Sequence, residues 1–137
     1  MKVSIIYAST TGNTEAMANS IKEAVASTGA EVVFGTADNA DASSVTSSDV
    51  ILLGSPAMGD EVLEDTMEAF YTGIESGLSG KKVGLFGSYD WGDGQWLRDW
   101  EERAKAAGAT VTESLMVHLT PEGDDISKCQ EWAKKAL

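Results

Sequence analysis

The chain has 137 residues, of which 42% are hydrophobic, and its 22 acidic against 10 basic side chains give a formal net charge of −12. This length suits one domain with a single core and is too short for separate cofactor and substrate domains. The acidic balance disfavours nucleic acid and anionic membranes as partners and favours proteins with a basic docking patch. Solubility alone explains the same charge equally well.

Other features of the sequence favour a cytoplasmic location. The N-terminal run MKVSIIYAS is short and stops at polar residues, whereas a signal peptide has a longer apolar region. No apolar stretch approaches the roughly 20 residues of a membrane helix. Cys129 is the only cysteine and therefore forms no internal disulfide, which agrees with a reducing compartment.

Short apolar runs alternate along the chain with segments of helical periodicity. The apolar, β-branched runs predict five strands at residues 3–8, 31–34, 50–54, 82–87 and 110–117. Helical spacing, with glycine stops after two of the segments, predicts helices at residues 13–28, 64–76, 95–107 and 125–136. Residues 37–48 form a surface crossing with one short helical turn.

This alternation predicts the α/β class, with one domain over residues 1–137. Strands separated by helices of 10 to 16 residues form βαβ units, and hence a doubly wound, five-stranded parallel sheet with helices on both faces. Ligands of such sheets bind outside the carboxyl ends of the strands, where the strand order reverses. Residues 9–14, 55–61 and 88–94 leave three of those ends, so we expect them to converge.

The first of these loops has the composition of a phosphate cradle. It offers hydroxyls, a carboxamide and a glycine directly before a helix, in the order Ser9, Thr10, Thr11, Gly12, Asn13 and Thr14. Backbone amides at a helix N-terminus bind phosphate. The lysine of the GxxxxGK[ST] loops that transfer phosphate is absent. The loop is therefore expected to hold a phosphate without reacting with it.

The second loop combines a polarizable side chain with a glycine and two carboxylates. Its residues are Ser55, Pro56, Ala57, Met58, Gly59, Asp60 and Glu61. Met58 is suited to lie on a π-system, and Gly59 allows its peptide bond with Asp60 to flip. An ordinary core methionine followed by an ordinary turn explains the same residues.

The third loop contains an aromatic side chain among acids and glycines. Its residues are Ser88, Tyr89, Asp90, Trp91, Gly92, Asp93 and Gly94. None of the neighbours of Trp91 offers an apolar wall, so we expect an exposed indole that stacks on a flat partner. The alternative is that Trp91 folds back onto the sheet edge. Trp96 and Trp100, spaced i and i+4, are expected to be packing residues.

Together the loops indicate a ligand with a phosphate at one end and a flat aromatic system at the other, as in flavin mononucleotide (FMN). With these three segments in order, the chain resembles a flavodoxin of the short-chain type from anaerobic bacteria, over essentially all 137 residues. The known sheet order of that family is 2-1-3-4-5, with FMN at the switch point between strands one and three.

The resemblance implies a role for each loop. Residues 9–14 would hold the 5′-phosphate, and Met58 and Trp91 would cover the two faces of the isoalloxazine. Glu61 would accept a hydrogen bond from flavin N3, and backbone groups of Asp60 and of residues 89–91 would meet the pyrimidine edge. Ser88 and residues 55–57 would flank the ribityl chain. Gly92 belongs to the same cofactor-binding set.

The resemblance also implies a function. The chain would be a low-potential one-electron carrier, and a monomer, whose non-covalently bound FMN shuttles between semiquinone and hydroquinone and passes electrons to redox enzymes. The carboxylates of Asp60, Glu61 and Asp90 disfavour an anionic hydroquinone, and the Gly59 carbonyl would accept a hydrogen bond from N5 of the neutral semiquinone. His118, Leu119 and Thr120, after strand five, would form a fourth wall.

The sequence departs from the family at positions close to the proposed ligand. Members often have glycine where Thr10 and Asp90 stand, and tryptophan where Ala8 stands. Thr10 adds a β-branched side chain to the phosphate turn, and Asp90 adds a carboxylate near the pyrimidine edge. We expect both to alter affinity or potential without removing the site.

Other functions of the same fold stay open at the level of sequence. One is an FMN-dependent NAD(P)H:quinone reductase, and another is a flavodoxin-like activator of a second enzyme or a phosphoacceptor domain. No residue is predicted to be catalytic or to bind a metal: His118 is the only histidine, and Cys129 has no charged partner that favours a thiolate.

Overall fold

The computed structural model describes residues 1–9, 12–58, 62–90 and 92–137. The strands in these residues are β1 (Lys2–Tyr7), β2 (Glu31–Thr36), β3 (Val50–Gly54), β4 (Lys82–Tyr89), β5 (Thr110–Val111) and β6 (Leu115–His118). The helices are α1 (Asn13–Ala26), α2 (Ala42–Thr46), α3 (Asp65–Ile74), α4 (Gln95–Ala106) and α5 (Asp124–Ala136). A single 3₁₀ turn (Glu75–Gly77) follows α3.

The strands form one parallel sheet whose order confirms the prediction. The order is β2-β1-β3-β4-β5, and β6 also pairs with β4. On β1, Ile5 lies between Phe34 of β2 and Leu52 of β3. After β1 the chain forms β2 on one side of β1, and it then crosses to form β3 on the other side. The strand order therefore reverses between the carboxyl ends of β1 and β3, which is where ligands of such sheets bind.

Helices cover both faces of the sheet because alternate strand residues point to opposite sides. One apolar layer joins the sheet to α1 and α5 and includes Ile5, Met17 and Trp132. The other joins it to α2, α3 and α4 and includes Leu53, Tyr71 and Trp100. Because both faces of these strands are buried, their sequences are continuous apolar runs. The two layers hold the carboxyl ends of the strands in fixed positions.

The prediction of one unbroken strand at residues 110–117 was wrong, because β5 and β6 are separate pieces. Val111 lies opposite Val83 and Leu115 lies opposite Phe86. Four steps along one strand thus match three steps along the other, which is a bulge of one residue. Within the bulge, the indole Nε1–H of Trp132 donates to the carbonyl of Glu113, a residue that lies between the paired residues of β5 and β6. The register after the bulge is shifted by one residue.

Two further properties concern the helices. Within the described parts of the chain, no helix combines the length and the apolar composition needed to cross a membrane. Cys129 lies on α5 and is fully buried. Burial, followed by the charge of Asp125, raises the pKa of its thiol to about 11. The thiol is therefore an inert packing group, as predicted.

Candidate functional site

The first loop ends at the N-terminus of α1, as the sequence predicts. Gly12 precedes the helix with a φ of 91°, a left-handed conformation that favours glycine, and a Cβ there would meet open space. The Ser9 hydroxyl accepts hydrogen bonds from the backbone N–H of Gly12 at 3.0 Å and, more weakly, of Glu15 at 3.4 Å. Among the described residues, the N–H groups of Asn13 and Thr14 have no acceptor. Unpaired amides at a helix N-terminus can bind an anion.

Thr14 connects this helix end to the third loop. Its side chain is 1% exposed, and its Oγ1 lies 3.3 Å from Oγ of the buried Ser88. Ser88 lies near the carboxyl end of β4, and its carbonyl accepts a hydrogen bond from the Ala57 N–H at 3.1 Å. Residues of all three predicted loops therefore meet around Ser88, and the expected convergence is confirmed for these residues.

Ser55 anchors the second loop at the end of β3. Its buried hydroxyl donates to the Pro56 carbonyl at 3.0 Å and accepts from the Glu64 N–H at 3.0 Å. Its carbonyl accepts a hydrogen bond from the indole N–H of Trp96 at 3.2 Å. The loop is thus tied to the start of α3 and to α4, so its position depends on the packing of both helices.

Further along this loop, Met58 and Val62 pair across residues 59–61. The Met58 N–H donates to the Val62 carbonyl at 3.0 Å, and the Val62 N–H donates back at 3.3 Å. Met58 is half-buried and Val62 is 53% exposed. The pairing fixes where the chain enters and leaves the predicted flavin loop.

The third loop is held on both sides of Trp91. Tyr89 is half-buried, Asp90 is exposed, and Gly92 is exposed with a φ of 88°. Arg98 on α4 donates to the backbone carbonyl of Asp93 at 2.9 Å and to its carboxylate at 3.0 Å. A cation therefore lies beside this loop, but it is already bound to loop acceptors.

The last residue of β6 and the two residues after it lie against the same loop. The imidazole Nε2 of His118 donates to the Asp90 carbonyl at 2.9 Å, and the His118 ring lies 5.0 Å from that of Tyr89. The Leu119 N–H donates to the Tyr89 carbonyl at 2.8 Å. The Thr120 hydroxyl donates to Oδ1 of Asn13 at 2.6 Å. The residues of the predicted fourth wall therefore contact residues of the first and third loops.

A cavity at the carboxyl ends of β1 and β2 is lined by acidic side chains and is therefore unfavourable for phosphate. This cavity of about 410 Å³ is lined by Ser9 and by the carboxylate-bearing Asp38 and Glu64. Tyr7 also lines it and donates to Glu15 at 3.1 Å; burial, then this hydrogen bond, raises the pKa of Tyr7. Carboxylates repel a phosphate dianion, so the N-terminus of α1 is the better phosphate site.

Part of the predicted site lies outside the described residues. These positions are Thr10, Thr11, Gly59, Asp60, Glu61 and Trp91. Their predicted roles stay predictions from the sequence.

Sequence reasoning missed some of the residues that support the site. Trp96 is buried as predicted, but it also holds the Ser55 carbonyl. Arg98 holds the loop through Asp93, five residues earlier, a spacing that the sequence displays. The contacts of His118 follow from the register shift at the bulge, for which the sequence gives no clear signal.

The described residues fit FMN at the phosphate end on the strength of two observations. The backbone amides of Asn13 and Thr14 are open, and neutral hydroxyls of Thr14 and Ser88 lie beside them. Tyr89 and Met58 lie farther along the same edge of the sheet. The fold and this site define a class: small α/β proteins that bind a phosphate-bearing ligand at the switch point of a parallel sheet.

Comparison with known proteins gives the family. The flavodoxin family model matches residues 5–132. The flavodoxin of Megasphaera elsdenii is 48% identical over 98% of this chain and 97% of its own length, and that of Clostridium beijerinckii is 41% identical over 96% of each. The solution structure of two-electron reduced Megasphaera elsdenii flavodoxin superposes with a TM-score of 0.88 over 97% of this chain and 98% of that one.

The chain therefore belongs to the flavodoxin family. It binds FMN and carries electrons, and it is not an enzyme. The reductase and regulator alternatives are not favoured.

Proposed function

We propose that the carboxyl end of the sheet holds FMN in one defined orientation. Its phosphate end would be bound by hydroxyls and backbone amides of the first loop, namely Ser9, Thr10, Thr11, Gly12, Asn13 and Thr14. The observation that carries this assignment is the pair of open amides at Asn13 and Thr14, next to the Thr14–Ser88 hydroxyl pair. Ser88 and residues 55–57 would flank the ribityl chain.

The aromatic ring would lie between Met58 and Trp91, one on each face. The pyrimidine edge would meet backbone groups of Asp60 and of residues 89–91, and Glu61 would accept a hydrogen bond from N3. Support comes from the fixed ends of both loops: Met58 pairs with Val62, and the Tyr89 carbonyl is bound by Leu119.

Bound FMN supplies electron transfer in one-electron steps. The side chains around it set its energies. Carboxylates of Asp60, Glu61 and Asp90 would disfavour negative charge on the ring and so lower its reduction potential. The Gly59 carbonyl would hold a proton at flavin N5 by a hydrogen bond, with the peptide bond after Gly59 turned toward it.

The Gly59→Thr variant tests this turning peptide. A β-branched residue resists the positive φ that one orientation requires. We therefore expect the separation between the two one-electron reduction potentials of bound FMN to shrink by roughly 40 mV, about 1 kcal/mol, the net value of one hydrogen bond. Spectra recorded during anaerobic photoreduction measure it. An unchanged separation would contradict the role of Gly59.

The central experiment compares FMN with riboflavin, which lacks the phosphate. Ligand-free protein is titrated with each flavin, and binding is followed by the loss of flavin fluorescence. We expect one FMN per chain and at least a hundredfold weaker binding of riboflavin, because each charge-assisted hydrogen bond to phosphate contributes about 1.5 to 3 kcal/mol. Equal affinities would refute the phosphate cradle, and oxidation of NAD(P)H by the purified protein would revive the reductase alternative.

The proposed partners are redox proteins with basic docking patches, met by a cytoplasmic monomer. Acidic side chains such as Asp65, Asp90 and Asp93 lie at the carboxyl end, near the proposed flavin. Electron transfer to a basic acceptor such as cytochrome c should slow as ionic strength rises, since salt screens over about 8 Å at 0.15 M. Sedimentation measures the oligomeric state. A salt-independent rate would contradict the proposed docking.

A further inference from the structure

The bulge between β5 and β6 determines which residue lies beside the third loop. Before the bulge, Val83 pairs with Val111, a difference of 28 positions in the sequence; after it, Phe86 pairs with Leu115, a difference of 29. As a result His118 lies opposite Tyr89. Without the extra residue, Val117 would occupy that place, and its side chain has no hydrogen-bond donor.

The last residue of β6, His118, and the two residues after it reach both ends of the proposed site. His118 donates from Nε2 to the Asp90 carbonyl at 2.9 Å, and Leu119 donates its N–H to the Tyr89 carbonyl at 2.8 Å. Thr120 donates to Oδ1 of Asn13 at 2.6 Å. One short segment therefore binds the loop proposed for the ring and the helix end proposed for the phosphate.

The backbone of this segment adopts a conformation that its sequence does not favour. Leu119 has a φ of 59°, the only positive φ at a non-glycine residue in the described parts of the chain. Its side chain is 43% exposed, so packing in the core does not explain the conformation. The hydrogen bonds on either side of Leu119 hold the backbone in this strained position.

We propose that His118, Leu119 and Thr120 form a clasp that positions both ends of the flavin site. His118 acts through the Asp90 carbonyl and so orients the backbone at the ring end. Thr120 acts through Asn13 and so orients the side chain at the phosphate end. All three are positioning residues, since each acts on a residue that would contact the ligand. The inference rests on the site proposed above for FMN.

The imidazole contributes two separable interactions, and two variants distinguish them. His118→Phe keeps a ring against Tyr89 and removes the N–H donor. His118→Gln replaces the ring but supplies an amide N–H that reaches the Asp90 carbonyl. Thr120→Val removes only the hydroxyl. Ser114→Ala is the matched control, because the buried Ser114 hydroxyl in the bulge has no hydrogen-bond partner in the described structure.

The dissociation constants of FMN and riboflavin are measured for each variant by fluorescence titration. His118→Phe should weaken both flavins about fivefold, the equivalent of one net hydrogen bond, because it disturbs the ring end. His118→Gln should recover most of that loss. Thr120→Val should weaken FMN about fivefold and leave riboflavin unchanged. Ser114→Ala should match the unaltered chain with both flavins.

A second measurement needs no flavin. Amide hydrogen exchange of Leu119 in the ligand-free protein should be about fivefold faster in His118→Phe and unchanged in Ser114→Ala. If the unaltered chain binds both flavins equally, the proposed phosphate site is wrong, and this exchange rate still tests the clasp. If exchange and both affinities in His118→Phe equal those of Ser114→Ala, the clasp is refuted.

Discussion

The two ends of the parallel sheet are held together by different chemistry. At the amino end, lysine ammonium groups bind oxygens of neighbouring elements: Lys2 donates to the Ser47 hydroxyl at 2.8 Å, and Lys82 to the Leu137 carbonyl at 2.9 Å. At the carboxyl end, neutral groups bind across the loops, as in the hydroxyl pair of Thr14 and Ser88 at 3.3 Å.

This difference shows how the chain binds a phosphate without a lysine. Lys82 lies where β4 begins, and four basic side chains lie in the last turns of α4 and α5, where they interact favourably with the negative ends of the helix dipoles: Arg103, Lys105, Lys134 and Lys135. The N-termini of α1, α3, α4 and α5 all lie at the carboxyl end of the sheet, so their backbone amides supply positive potential there. The cation at that end, Arg98, is bound by Asp93, and the acidic side chains around it suit the basic partners proposed above.

The largest expected effect on stability comes from filling the space between β4 and the second loop. A Cβ on Gly87 would overlap the Ser55 carbonyl oxygen and lie 3.0 Å from Cζ2 of Trp96. Gly87→Ala must therefore push the second loop away from β4. We expect the free energy of unfolding to fall by about 3 kcal/mol, measured by urea denaturation.

Gly35→Ala on β2 is the control for that substitution. It changes the same residue type in the same sheet, and its Cβ would meet open space. Its free energy of unfolding should stay within about 0.5 kcal/mol of the unaltered chain. If the two variants were equally stable, Gly87 would have no role in spacing the loops.

The next effect concerns the phosphate end alone. Thr14→Val keeps the shape of a buried side chain and removes the hydroxyl beside Ser88. FMN affinity should fall about tenfold, or about 1.4 kcal/mol, because one donor to a charged phosphate is lost. Riboflavin affinity should change less than twofold.

Thr28→Val provides the matched control after the opposite end of α1. The Thr28 hydroxyl donates to the Val25 carbonyl at 2.6 Å, far from the loops. Neither flavin should bind it differently. Equal losses of FMN and riboflavin in Thr14→Val would mean that Thr14 supports the ring and not the phosphate.

The sequence was sufficient to predict most of this architecture, for a physical reason. Runs such as residues 50–54 are apolar at every position because both faces of the strand are buried. The order of the strands and the convergence of the loops then follow from the rules for βαβ units. Local composition was enough to predict the strands, and general rules of topology were enough to predict their order.

The misses arose where two distant segments decide the outcome together. The bulge depends on Trp132, whose indole binds the Glu113 carbonyl, and on the register against β4. Its consequence, His118 beside Tyr89, depends on that register as well. Residues 110–117 contain no glycine or proline to mark an interruption, so periodicity alone predicts one strand.

The smallest effect lies away from both ends of the sheet, between α3 and α4. Arg103 donates to both carboxylate oxygens of Glu68, at 2.8 and 2.9 Å, and this hydrogen bonding lowers the pKa of Glu68. A carboxyl pKa that is lower in the folded state stabilises the fold above the ordinary carboxyl pKa, and the gain is lost as pH falls through the folded value.

Glu68→Gln removes that contribution. Because the Glu68 side chain is 47% exposed, solvent screens the pair, and the variant should lose only about 0.5 kcal/mol of unfolding free energy at pH 7. The difference from the unaltered chain should shrink as pH falls below the ordinary carboxyl pKa and through the lowered folded value, because protonated Glu68 no longer pairs with Arg103. Urea denaturation at pH 7, 5 and 3.5 measures it. A difference that stays constant with pH would mean that the charge of Glu68 contributes nothing.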